Sequence, residues 1–196
     1  VYELLSDFNE SITIAYNTYK GYFFALGTDL TLDESWKGIG ASTSGDAFAG
    51  TFDGAGYTIT FDKAQNGFFE LIGPDTELHH FKLAGTMRSS DTGTGYLAPL
   101  VEYAYMARHI HDSSSSVSIS GEIAPAATGG LIGSAGKVKL SNLTFTGSID
   151  YDVLYSGNAI GGIAGGLDWS GATADNLANN GSIHVKKGEE NTIDKT

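Results

Sequence analysis

Gly129-Gly130-Leu131-Ile132-Gly133 returns further along the chain as Gly161-Gly162-Ile163-Ala164-Gly165. Two looser versions come earlier, Gly67-Phe68-Phe69-Glu70-Leu71 and Ala98-Pro99-Leu100-Val101-Glu102. Aligned on the third residue, the four fall at Phe69, Leu100, Leu131 and Ile163, at intervals of 31, 31 and 32. A second signal follows each, a strand-like run closing on glycine. It reads Lys82-Leu83-Ala84-Gly85, Ser118-Ile119-Ser120-Gly121, Phe145-Thr146-Gly147-Ser148-Ile149 and Asn179-Asn180-Gly181-Ser182-Ile183. Near-equal spacing of this kind marks a repeat architecture.

Three strands of ~4–5 residues with connections of ~2–5 consume about 20–30 residues. The period therefore suits one coil of a β-solenoid with an occasional longer loop, whereas a propeller blade needs ~40–45. Local pattern agrees. Ser11–Ala15, Tyr22–Leu26, Tyr57–Phe61, Ser116–Ser120 and Leu143–Thr146 alternate apolar with polar residues and are rich in β-branched and aromatic types, the strand signal. Helical periodicity is confined to Leu4–Ser11 and Leu100–Arg108. The expected fold is all-β, a parallel β-helix forming a single domain. Residues 1–61 serve as an atypical N-terminal cap with the first coils, 62–185 as repeat coils, and 186–196 as a polar C-terminal end. Coils stacked ~4.8 Å apart crowd their corners, and glycine relieves the crowding. That accounts for 27 glycines in 196 residues, about twice the usual ~7%.

Charge excludes further classes. Eleven Lys and Arg against 23 Asp and Glu give a net charge of −12, and residues 1–62 alone carry −7. No basic stripe exists to neutralise phosphates, so nucleic acid is not an expected partner. No apolar run reaches ~18 residues, so no membrane insertion by this chain is expected. Cysteine is absent, which removes disulfide scaffolds and thiolate chemistry. Val1 opens directly on Tyr2-Glu3-Leu4-Leu5, which reads as a mature chain or an excised part of a longer polypeptide.

Several strings resemble a known family. Gly21–Leu32 is similar to the opening of bacterial surface β-helices. Phe48-Ala49-Gly50-Thr51-Phe52-Asp53-Gly54-Ala55-Gly56-Tyr57-Thr58-Ile59 is similar to the Phe-x-Gly-x-Phe-Asp-Gly signature that precedes their repeats. The two glycine-rich pentapeptides look like GLUG motifs, found in bacterial surface proteins including some IgA-specific metallopeptidases. Glu70 and Glu102 stand where that pattern expects glycine. The resemblance covers about residues 20–183. It implies a right-handed parallel β-helix on a secreted or surface-anchored bacterial protein; a catalytic centre does not follow from it. No His-Glu-x-x-His occurs, so the chain is not the peptidase unit.

The candidate chemistry follows from residue type and spacing. Glu70 and Glu102, at +1 and +2 from the aligned apolar residue, are the catalytic candidates for a glycan hydrolase, which needs two facing carboxylates. A lyase would want clustered cations, and Arg88 and Arg108 are the only arginines. His79, His109, His111 and Asp112, at +9 to +12 from the aligned residues of successive coils, are the metal candidates. Their alternative role is a solvated polar face. No cofactor is expected. Structural calcium at Asp150/Asp152 or Asp29/Asp33/Glu34 is the alternative, against ordinary turn acids. Tyr96, Tyr103, Tyr105, Tyr151 and Tyr155 are the ligand-binding candidates through sugar stacking, against filling the core. The functional expectation is a noncatalytic bacterial surface module for adhesion or as a stalk, binding glycan or host protein. A carbohydrate-active enzyme, or an accessory region of a secreted peptidase, is the alternative.

Overall fold

The computed structural model describes residues 2–4, 21–40, 47–89, 95–167 and 171–188. Within them the chain is all-β, every strand pairing is parallel, and the strands stack into a β-solenoid of about five coils. Three sheets run along the stack. A 13-stranded sheet holds two consecutive strand positions of each coil, and sheets of four and three strands close the remaining sides. The four-stranded sheet is built from Phe69–Ile72, Val101–Ala104, Ile132–Ala135 and Ala164–Leu167. The three-stranded sheet is built from Tyr96–Leu97, Ala127–Gly129 and Ala159–Gly161.

Register follows from which side chains must leave water. In the large sheet, Phe24, Phe52, Leu78, Ile110 and Leu140 occupy one column, each directly above the next and each buried. Slipping one strand by a residue would turn its apolar member out and a polar neighbour in, so burial fixes the pairing. The first coils are packed with aromatics. Phe52 lies 5.5–6.2 Å, ring centre to ring centre, from Phe24, Phe48, Phe68, Phe69 and Phe81. Towards the other end the inward residues shrink and become exposed, with Leu167 and Ile183 at 51% and 41%.

Residues 21–61 lack the glycine-rich motif, yet the described strands among them stack in the same columns. Phe23–Leu26 pairs with Thr51–Asp53, and Leu30–Leu32 pairs with Thr58–Ala64. The helical pattern read over Leu4–Ser11 lies mostly outside the described residues, as do Ser11–Ala15 and residues 189–196. Over Leu100–Arg108 that pattern is a strand, Val101–Ala104. Val101 and Ala104 both face the core, and Glu102 and Tyr103 between them are only partly buried. This i, i+3 burial spacing imitates a helix.

The same four residues correct the repeat register. The sequence aligns Phe69 with Leu100, whereas the strands pair Phe69 with Val101 and Ile72 with Ala104. Phe68 and Phe69 are both apolar, so the sequence fits either alignment. The buried positions at both strand ends admit only one.

Gly129 and Gly130 of the motif are crowded by backbone. A Cβ on Gly129 would strike the carbonyl oxygen of Ile132, and one on Gly130 the carbonyl oxygen of Gly162 in the next coil. Gly27, by contrast, has open space around its missing Cβ. Gly130→Ala should therefore lower the melting temperature sharply, while Gly27→Ala should leave it nearly unchanged. Phe52→Ala should cost about 3–5 kcal/mol. Thermal and denaturant unfolding of the three variants checks the ordering.

Candidate functional site

On the outer face of the large sheet, the stacking gathers residues far apart in sequence. One outward column reads Thr51, Glu77, His109, Lys139, and the next reads Asp53, His79, His111, Ser141. Beside them runs a third column at a sharp bend: His80, Asp112, Asn142 and Asn176. All four hold positive φ, between 49° and 57°. Asn, Asp and His adopt this left-handed conformation more readily than other non-glycine residues. Their side chains form a ladder, with Asn142 Nδ2 donating to Asp112 Oδ1 at 2.7 Å and Asn176 Nδ2 to Asn142 Oδ1 at 2.8 Å. In the coil before His80, Gly54 takes the position, and a Cβ there would lie 2.5 Å from the His80 carbonyl oxygen.

The bend matters for His79 and His80. Neighbours in an extended strand point to opposite faces. The left-handed turn at His80 instead brings both imidazoles to one side, where each Nδ1 lies 3.2 Å from Asp53 Oδ1. The two Nδ1 atoms are 2.8 Å apart. Asp53 is held in place by the Ala55 N–H, which donates to the same Oδ1 at 2.8 Å. A second group adjoins it. His111 Nε2 lies 3.1 Å from Glu77 Oε1, its Nδ1 lies 2.6 Å from Asp112 Oδ2, and Arg108 pairs with Glu77. His109 stacks on His111 with ring centres 4.1 Å apart and meets Ser141 Oγ at 2.8 Å through Nε2.

Burial holds His79 below the usual histidine range, and it pushes His109 down to about 4, assisted by His111 and Lys139. Both imidazoles are thus neutral near pH 7, the form that presents a lone pair. Asp112 sits below the usual carboxylate range because His111 and Asn142 donate to it.

The structure brings together all four metal candidates from the sequence, His79, His109, His111 and Asp112, on one face. It adds Asp53 and Glu77, which stand outside that reading, and brings in His80, the sequence neighbour of His79. The coil that separates Asp53 from His79 is shorter than the later ones, so the repeat period conceals their alignment. Of the acids weighed for calcium, several are engaged elsewhere. Asp33 accepts from the Ser35 N–H and hydroxyl, Asp29 from the Thr58 N–H, and Asp152 pairs with Lys186.

Glu70 and Glu102 change status through the corrected register. They stand at equivalent positions on adjacent coils, because their neighbours pair Phe69 with Val101 and Leu71 with Tyr103. Glu102 Oε1 accepts the Gly67 N–H at 2.8 Å. Burial, reinforced by Glu70, pushes the Glu102 carboxyl up to about 8 despite that bond.

The tyrosines divide. Tyr96 stacks on Tyr103 with ring centres 5.2 Å apart, and Tyr105 lies 6.4 Å from Tyr103. Tyr96 and Tyr155 are exposed. Tyr151 is a correction to the ligand-binding set. It is fully buried, its hydroxyl 3.1 Å from Thr128 Oγ1, because its strand position faces inward between Ser118–Ile123 and the last coil.

No family model, curated protein or solved structure matches the chain. The class its geometry defines is the parallel β-solenoid, with a histidine–carboxylate cluster on one side and an aromatic strip on another.

The shifts at His109 and Glu102 give folding stability opposite pH limbs. His109 titrates at 6.5 unperturbed and about 4 in the fold, so its contribution is complete above the first value and lost as pH falls towards the second. Glu102 moves from 4.5 to about 8, so its contribution is complete below 4.5 and lost as pH rises through 8. Glu102→Gln keeps an acceptor for the Gly67 N–H and removes the charge. It should melt with the native chain at pH 4 and above it at pH 9, by about 2–4 °C per kcal/mol recovered. Melting curves across that range check the prediction, and parallel curves for the two proteins would contradict it.

Proposed function

We propose that the chain is a noncatalytic module of a bacterial cell-surface or secreted protein. In this reading it is a right-handed β-helix with GLUG-type repeats, acting in adhesion or as a stalk and binding glycan or extracellular host protein on its side surface. The observation that carries the reading is the Tyr96–Tyr103–Tyr105 strip. Tyr96 and Tyr103, on two consecutive strands of one coil, and Tyr105 just after the second offer flat apolar faces with polar rims, which suits the apolar faces of sugar rings. The motif resemblance supports the cell-surface context, and the acidic balance suits partners other than nucleic acid.

The test is a glycan array with the purified chain, followed by titration of any hit against Tyr96→Ala and Tyr103→Ala. Binding weakened about tenfold or more in both variants, with unchanged circular dichroism, is the expected result. Hits unaffected by either substitution would remove the strip from the reading, and a silent array together with no host-protein binding would leave a spacer.

A second reading is favoured by the stacked Glu70 and Glu102. Equivalent residues on adjacent coils are ~4.8 Å apart at the backbone, and a retaining glycosidase sets its carboxyl groups ~5–5.5 Å apart, one protonated. Against it, Glu102 is engaged by a backbone N–H of the preceding coil. Reducing-sugar release from a polysaccharide panel, abolished by both Glu70→Gln and Glu102→Gln, would replace the binding reading with this one.

A further inference from the structure

The geometry points to a divalent transition-metal site formed by Asp53 Oδ1, His79 Nδ1 and His80 Nδ1. These atoms form a triangle with sides of 3.2, 3.2 and 2.8 Å. Protein ligands to zinc sit about 2.0–2.2 Å from the ion. At that radius, a tetrahedral edge is about 3.4 Å and an octahedral edge about 2.9 Å, which brackets most of the triangle. An ion equidistant from the three atoms at that radius would lie about 1 Å above their plane. Two imidazoles and one carboxylate suit zinc and its first-row neighbours, and are poor ligands for calcium or magnesium.

Hydrogen bonding alone serves the triangle badly. An Nδ1 carries either a proton or a lone pair. One N–H shared between the imidazoles leaves the other nitrogen's lone pair facing the Asp53 oxygen at 3.2 Å. Two N–H groups would confront each other across 2.8 Å. A cation over the face satisfies three lone pairs at once.

The backbone is also committed to the arrangement. His80 takes a left-handed conformation at φ 57°, the bend that Asp112, Asn142 and Asn176 repeat in the next three coils, and this bend turns its ring to the side of His79. Asp53 is oriented by Ala55, and the turn that follows it rests on the histidine carbonyls, with Gly54 N donating to His79 O and Gly56 N to His80 O. Such outer bonds hold ligands in place. His111 stacks on His79 at 5.1 Å, but both its nitrogens already face carboxylates. The site therefore has three protein ligands, and the exposed side of His80 leaves the remaining coordination positions to water.

The experiment uses the whole chain, stripped with chelator and titrated with Zn2+ by calorimetry, then with Co2+ by visible absorption. Asp53→Asn retains the acceptor for Ala55, and His80→Asn retains a residue suited to the left-handed bend, so both should fold. Metal-free melting and circular dichroism verify this. The expected result is one Zn2+ per chain, a Co2+ spectrum of nitrogen–oxygen coordination, and affinity reduced about 10–100-fold or more in both variants. His184→Ala, on the last coil, should bind as the native chain does. Absence of Zn2+ uptake would overturn the site. So would binding that survives both substitutions, or binding lost in His109→Ala and preserved in His80→Asn, which would place the ion at Glu77, His109 and His111.

Discussion

Everything in this molecule depends on the inward columns remaining in register from coil to coil. Phe24, Phe52, Leu78, Ile110 and Leu140 share one column, and Phe69, Val101, Ile132 and Ala164 share another. Parallel pairing satisfies the backbone of each coil only through its neighbours, so no coil is stable by itself. The hydrophobic columns therefore act as both the core and the alignment device. Once they are fixed, every outward residue is fixed too, since side chains alternate across a strand.

That constraint converts sequence distance into spatial columns. Asp53, His79 and His111 lie in adjacent coils at one position, although they are unequally spaced along the chain. Glu70 and Glu102 coincide for the same reason. The coils differ in loop length, so no constant offset in the sequence predicts these alignments. The bend at His80, Asp112, Asn142 and Asn176 adds a second device. It turns the chain between two strand positions of the large sheet and, at His80, breaks alternation so that two consecutive imidazoles share a face.

The two sides of the solenoid carry different chemistry. The large sheet bears imidazoles, carboxylates and amides joined by hydrogen bonds within a coil and across coils. The corner between the smaller sheets bears the stacked tyrosines and the Glu102–Gly67 bond. In that corner the carboxyl closes a backbone donor of the coil before it, which ties adjacent coils together. Burial there raises its affinity for a proton. Later coils carry Gly133 and Gly165 at the position of the two glutamates, and a Cβ on either would strike a backbone carbonyl oxygen. The glutamates thus occupy the coils whose corner has room for a side chain.

The sequence by itself determined the all-β class, the repeat period and the stacking of coils, because alternation, turn residues and evenly spaced glycines are local or periodic signals. It also marked the histidines His79, His109 and His111 as recurring on successive coils. It left Asp53 and Glu77 out of the candidate cluster, set Glu70 and Glu102 out of register, and placed Tyr151 with the surface tyrosines. Each of those depends on which way a side chain faces and which residue lies above it. Two adjacent apolar residues, Phe68 and Phe69, left the register open in the sequence, and the left-handed bend at His80 turned its ring to the side of His79. Only burial in the assembled stack could choose among these arrangements, because the energy that selects them exists only when neighbouring coils are in contact.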